Sequence, residues 1–157
     1  MKRIISFVLV VVLLAFSFSV STFAKDAQES ITYYTDGSYT VITMQNADFA
    51  FAKVLQALRS VKTKTITAKH YDSSDNLEWT ASLTGTFSYN GTTASCTSVS
   101  KSTTIYASAW KCTSSSCSKS GATATGNFTF KRYTVGLPVQ TINQNLTMTC
   151  DPNGNIT

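Results

Sequence analysis

One histidine, two prolines and 13% charged residues in 157 leave the chain short of the usual equipment of an enzyme or a nucleic-acid binder. With His70 as the lone imidazole, a hydrolytic triad has only one position for its base, and that position lies in an alternating segment beside Ile66 and Ala68. Gly-x-Ser-x-Gly and phosphate-cradling glycine loops are both absent. The eight carboxylates are Asp26, Glu29, Asp36, Asp48, Asp72, Asp75, Glu78 and Asp151; Asp36, Asp72, Asp75 and Asp151 fall in turn-forming stretches, where Asp is ordinary turn chemistry. Glu78 is expected on the outer face of its strand, so no acid pair for glycoside hydrolysis stands out. The chain is therefore expected not to be an enzyme.

Metals and nucleic acid fare no better. Four cysteines include one Cys-x4-Cys pair without a second close pair, so no metal site is expected, and no cofactor. Asp151, Asn153 and Asn155 have the spacing of a calcium-loop start, but Gly154 comes too early for that loop and no closing carboxylate follows. Asp72, Asp75 and Glu78 are explained by the solvation of a hairpin end. Cations are scattered, with Lys131-Arg132 the one adjacent pair after residue 24, so no basic stripe for nucleic acid exists.

Long apolar runs are scarce too, with one exception. Lys2 and Arg3 precede the run Ile4 to Phe16, and a weakly polar stretch ends Thr22-Phe23-Ala24. That is the layout of a secretory signal peptide over residues 1–24, cleaved after Ala24, with a retained anchor as the alternative. Cleavage leaves one domain, residues 25–157, and takes the formal charge from +5 to +3 with Lys2 and Arg3. The expected location is secreted, with membrane contact only through the signal segment.

What remains is rich in small hydroxyls, 24 Thr and 17 Ser, yet its 14 aromatics and strict alternation oppose disorder. Leu77 to Tyr89 alternates without a break: Leu77, Trp79, Ala81, Leu83, Gly85, Phe87 and Tyr89 on one face, Glu78, Thr80, Ser82, Thr84, Thr86 and Ser88 on the other. This is a half-buried antiparallel strand. Asn90-Gly91 suits a two-residue turn pairing Tyr89 with Thr92, which sets Gly85 opposite Cys96 and points Cys96 inward. Ala122 to Lys131 and Ile142 to Cys150 alternate similarly, with Gln144 interrupting the second. Asp36-Gly37 and Asp72 to Asn76 mark further hairpins. Ala47 to Ser60 instead places Phe51, Val54, Leu55 and Leu58 on one helical face, predicting a short amphipathic helix near residues 47–60. The expected fold is an all-β antiparallel sandwich of seven or eight strands, Ig-like in the loose sense.

Phase also suggests disulfides. Cys96 and Cys150 share inward faces, and Cys112 and Cys117 flank the polar Thr113 to Ser116, so the expected bridges are Cys96–Cys150 and Cys112–Cys117.

Leu77-Glu78-Trp79, Leu83 to Gly91, Thr104-Ile105-Tyr106, Lys119-Ser120-Gly121 and Leu146 to Asn155 resemble a group of small secreted β-rich proteins of Gram-positive anaerobic bacteria. The resemblance implies export and a β-rich fold, and no activity. The positive functional hint is aromatic. Tyr33, Tyr34, Tyr106, Trp110 and Tyr133 are candidate stacking rings, and Tyr106 and Trp110 share a phase in Thr103 to Lys111. Against a core role for Trp110, exposure would favour glycan binding. The expected function is a secreted non-catalytic extracellular interaction module for cell-envelope or host-surface ligands such as glycans; the alternative is a small secreted toxin, inhibitor or hydrolase.

Overall fold

A computed structural model describes residues 29–46 and 59–157. Eight strands follow in order: β1 (Glu29–Tyr33), β2 (Tyr39–Asn46), β3 (Ser60–Tyr71), β4 (Leu77–Tyr89), β5 (Ala94–Ile105), β6 (Trp110–Ser120), β7 (Thr123–Thr134) and β8 (Leu137–Thr149). They form two antiparallel sheets, β1-β2-β3-β4-β5 and β6-β7-β8. Each strand pairs only with its neighbours in sequence, so both sheets are simple meanders rather than the Greek key of an immunoglobulin domain. The described residues contain no helix; the expected one lies outside them except for Arg59 and Ser60, and Ser60 opens β3.

Alternation builds the core. Ile66 and Ala68 from β3, Trp79, Ala81, Leu83 and Phe87 from β4, and Phe128, Phe130, Ile142, Leu146 and Met148 from β7 and β8 are buried together. The sheets meet most directly where Trp79 stacks on Phe130, ring centroids 3.8 Å apart and 9° from parallel. Gly85 and Gly126 leave room there: a Cβ on Gly85 would press on the Phe87 ring and Ala124, and one on Gly126 on Leu83 and Phe128.

The outer faces carry the hydroxyls. Cross-strand pairs Thr63–Thr86, Thr65–Thr84 and Thr67–Ser82 hydrogen-bond at 3.0, 2.8 and 2.9 Å. Thr is thus used where a strand needs a branched side chain facing water.

One longer turn and one bulge change the expected register. Tyr89 pairs with Ala94, not Thr92, because Asn90 closes a four-residue turn: its Oδ1 accepts from the Thr92 and Thr93 amides, and its own amide donates to the Thr93 carbonyl. The two-residue shift preserves phase, so Cys96 still points inward, opposite Phe87 rather than Gly85. A second irregularity brings Tyr71 opposite Leu77 and His70 opposite Trp79, leaving Glu78 as the extra residue. Glu78 therefore turns inward and is buried, contrary to its strict alternation.

The cysteines are free thiols. The Cys112–Cys117 bridge is incompatible with β6, which continues through both residues with one bulge at Thr113. Their partners on β7, Phe130 and Gly126, are four residues apart. At about 3.3 Å per residue that is on the order of 13 Å, against a Cα limit of about 7 Å for a disulfide. Thr113 to Ser116 belongs to a strand and is polar because it faces solvent at a sheet edge, not because it loops. Cys96 and Cys150 do converge: their amides donate to the adjacent carbonyls of Gly121 and Ala122, at 2.8 and 3.0 Å. Burial pushes both thiols up in pKa.

Candidate functional site

Four turns gather at one end of the two sheets: Tyr34–Ser38, Asp72–Asn76, Tyr106–Ala109 and the β7–β8 turn. Short side-chain loops hold the first two rigid. Asp36 Oδ1 accepts from the Ser38 amide and hydroxyl at 3.1 and 2.6 Å, and its Oδ2 accepts from Gln140 of β8 at 3.0 Å. These bonds, the Ser38 hydroxyl foremost, hold the Asp36 carboxyl below its ordinary pKa despite some desolvation. Asp72 accepts from the Ser74 and Asn76 amides and the Asn76 side chain, at 2.8, 2.9 and 2.9 Å, and is likewise lowered.

Beneath these turns lies a buried polar and aromatic cluster. His70, with no solvent exposure, lies 15° from parallel to Trp79 and takes Tyr34 and Trp110 edge-on. Its Nδ1 shares a 3.0 Å hydrogen bond with the Thr40 hydroxyl, and Tyr34 adds a weak 3.4 Å contact to that hydroxyl. Glu78 Oε2 accepts from Trp110 Nε1 at 2.8 Å and lies 3.5 Å from His70 Nε2, too poorly aligned for a hydrogen bond.

Burial takes the His70 pKa down to about 4, so the imidazole is neutral at neutral pH. Desolvation raises Glu78, opposed by its bond from Trp110 and by nearby Arg132. The Glu78 carbonyl also accepts from the Tyr106 and Ala107 amides at 2.8 and 3.1 Å. One bulged residue thereby fixes the passage from β5 to β6, tying the two sheets through both main chain and side chain.

The cluster pairs a histidine with a carboxylate, but His70 has no solvent exposure and Glu78 very little, so neither stands open to a substrate as a base must. It is the polar lock of the core. Trp110, 2% exposed, belongs to it and is not a surface platform. Tyr106, 57% exposed, stands in the turn before β6, so Tyr106 and Trp110 share no face. Among the described residues, no group of three or more His, Cys, Asp or Glu side chains could hold a metal ion. Asp72 is committed to its own turn and Glu78 to Trp110.

An aromatic surface lies elsewhere, with Tyr33 exposed and Tyr39 and Tyr71 half-buried. Tyr33, Tyr39 and Tyr71 are successive partners across β1, β2 and β3 on the outer face. Their rings form a ladder: Tyr33 to Tyr39 at 5.7 Å and Tyr39 to Tyr71 at 5.1 Å, the latter pair 16° from parallel. Tyr33 is 73% exposed. The Tyr39 hydroxyl donates to Asp75 Oδ1 at 2.8 Å, and that bond pushes its pKa up to about 12. Asp75 takes a left-handed conformation, φ 63°, in the turn that aims its carboxylate at Tyr39. The sequence pattern marks Tyr33 but not Tyr39 or Tyr71; strand register is the signal that unites all three. Tyr34 points inward at His70, and Tyr133 lies under the Lys111 ammonium, 5.3 Å from ring centroid to Nζ.

No family model matches the chain, and no curated protein matches it. Among solved structures, a hypothetical protein of Listeria monocytogenes is similar at 17% identity and a TM-score of 0.40, over 78% of this chain and 91% of the other.

Proposed function

We infer that the chain is a secreted, non-catalytic extracellular interaction module that recognises glycans of the cell envelope or a host surface through its tyrosine ladder. The observation that carries this is the alignment of Tyr33, Tyr39 and Tyr71 on an open sheet face, with ring spacings of 5.7 and 5.1 Å. Rings fixed by neighbouring strands offer apolar area with little side-chain entropy left to lose, the property that makes Tyr an effective contact residue. Pyranose rings have apolar C–H faces that suit such surfaces, and the hydroxyls and carboxylate beside them supply orientation. Lys69 and Thr80 continue the face next to Tyr71, and Asp72 and Asp75 border it. The signal-like residues 1–24 support export, and burial of His70 and Glu78 supports a role without catalysis.

The test is binding of the exported protein to an array of envelope and host glycans, alongside Tyr39→Ala and Trp110→Phe. Saturable binding weakened about tenfold by Tyr39→Ala, roughly 1.4 kcal/mol, and retained by Trp110→Phe is the expected result. Binding indifferent to Tyr39→Ala, or none by the folded protein, overturns the proposal.

A further inference from the structure

The β7–β8 hairpin carries the two most exposed aliphatic side chains of the described residues, Val135 and Leu137, with Val139 beside them. Val135 is 96% exposed, Leu137 69% and Val139 59%, and Pro138 is also exposed, so the tip Val135 to Val139 has no polar side chain. Its conformation is unfavourable as well. Val135 has φ 50° and Gly136 φ 79°, the pattern of a turn that prefers Asn-Gly, yet a β-branched residue occupies the first place. A strained, exposed valine gives nothing back to the fold, and such outliers point to a use outside it.

The neck below the tip is cationic and aromatic on its outer face. Lys111 lies opposite Lys131 in the ladder, a like-charge pairing that is itself unfavourable, and Lys111 covers Tyr133, which is paired with Pro138. Residues 121–149 contain no Asp or Glu. Among the described residues the one close approach of a basic side chain to a carboxylate is that of the neutral His70 to Glu78, so neither lysine meets a carboxylate there. Asp36 reaches this hairpin only through Gln140, on the inner face.

We propose that this hairpin docks on an anionic lipid bilayer, with Val135, Leu137 and Val139 in the headgroup region and Lys111, Lys131 and Tyr133 at the phosphate level. Apolar insertion combined with basic attraction is the two-part logic of reversible membrane-surface binding, and Tyr and Lys favour the interface because each has an apolar body and a polar end. A bilayer fits better than a protein partner because the tip is five residues wide, whereas stable protein interfaces use roughly 20–30 residues a side.

The test uses protein purified after export, its intact mass establishing whether residues 1–24 remain. Sedimentation is measured with vesicles of phosphatidylcholine alone and with equal parts phosphatidylglycerol; these hold no glycan, so the outcome is independent of the tyrosine ladder. Expected is salt-sensitive binding to the anionic vesicles, reduced about tenfold or more in Val135→Asn/Leu137→Ser. Lys111→Gln/Lys131→Gln should remove the lipid preference. Thermal melts of both variants show that the fold survives. Absence of anionic-vesicle binding, or binding unaffected by the tip variant, overturns the proposal.

Discussion

Replacing Val135 by Asn should make the protein more stable. Val135 stands at φ 50° in the β7–β8 turn, where a side chain beyond Cα crowds the following carbonyl oxygen at about 1–2 kcal/mol per L-residue. Branching at Cβ adds to this, whereas Asn tolerates the region by hydrogen-bonding locally. At 96% exposure the valine has almost no burial to lose. The difference is therefore nearly the whole backbone penalty, a gain of about 1 kcal/mol and roughly 3–5 °C in Tm. Val135→Ala, which keeps Cβ but removes the branch, should recover only part. Urea denaturation and calorimetry on the three proteins measure it, with equal m-values required for a fair comparison. An Asn variant no more stable than the parent would refute the claim that this turn is strained, and with it one support for a use of Val135 outside the fold.

Acid should weaken the fold through His70. Its pKa falls from 6.5 to about 4 on burial, so between those values the unfolded chain holds a proton that the folded chain does not. Stability is full above about pH 6.5 and declines toward pH 4, by at most roughly 3 kcal/mol. Glu78, raised on folding, acts oppositely and reduces the slope. Denaturation midpoints against pH should show a decline that flattens in His70→Gln; an unchanged slope contradicts it. Trp110→Phe should cost about 1–3 kcal/mol by leaving Glu78 Oε2 without its donor, and Glu78→Gln in the same chain should recover part of that in a double-mutant cycle. Full additivity would show that the bond contributes nothing. Under oxidised glutathione, Cys96 and Cys150 should couple with loss of two protons and two electrons to the oxidant, while Cys112 and Cys117 stay alkylatable. Closing the 55-residue loop from Cys96 to Cys150 should add about 4 kcal/mol, and a mapped Cys112–Cys117 bridge would contradict the course of β6.

Strand identity was legible wherever one face was apolar and the other hydroxyl, as in Leu77 to Tyr89, since period-two alternation reports burial directly. β6 was not, because an edge strand of Ser, Thr and Lys buries too little to leave a pattern, and its cysteines looked like a loop clasp. Glu78 was misplaced for a different reason. A bulge moves one residue to the opposite face without any mark in the local sequence, and it takes the Trp110 indole and His70 to reveal why a carboxylate belongs inside. Trp110 itself shares its phase with Tyr106 only if the strand continues, and the chain instead turns at Tyr106 to cross between sheets. The tyrosine ladder was hidden because Tyr33, Tyr39 and Tyr71 are distant in sequence and adjacent only through two hairpin registers.

On the proposed reading, ligand meets the protein on the outer face of β1, β2 and β3. Its most direct test is a residue-resolved NMR titration with soluble envelope polysaccharide fragments, following aromatic and amide signals together. Saturable shifts centred on Tyr33, Tyr39, Tyr71 and Asp75 are expected, with the buried Trp79 and Trp110 indoles unmoved. Shifts centred instead on the opposite end, around Asn90 and Asn153, or no shifts at saturating fragment, would contradict it.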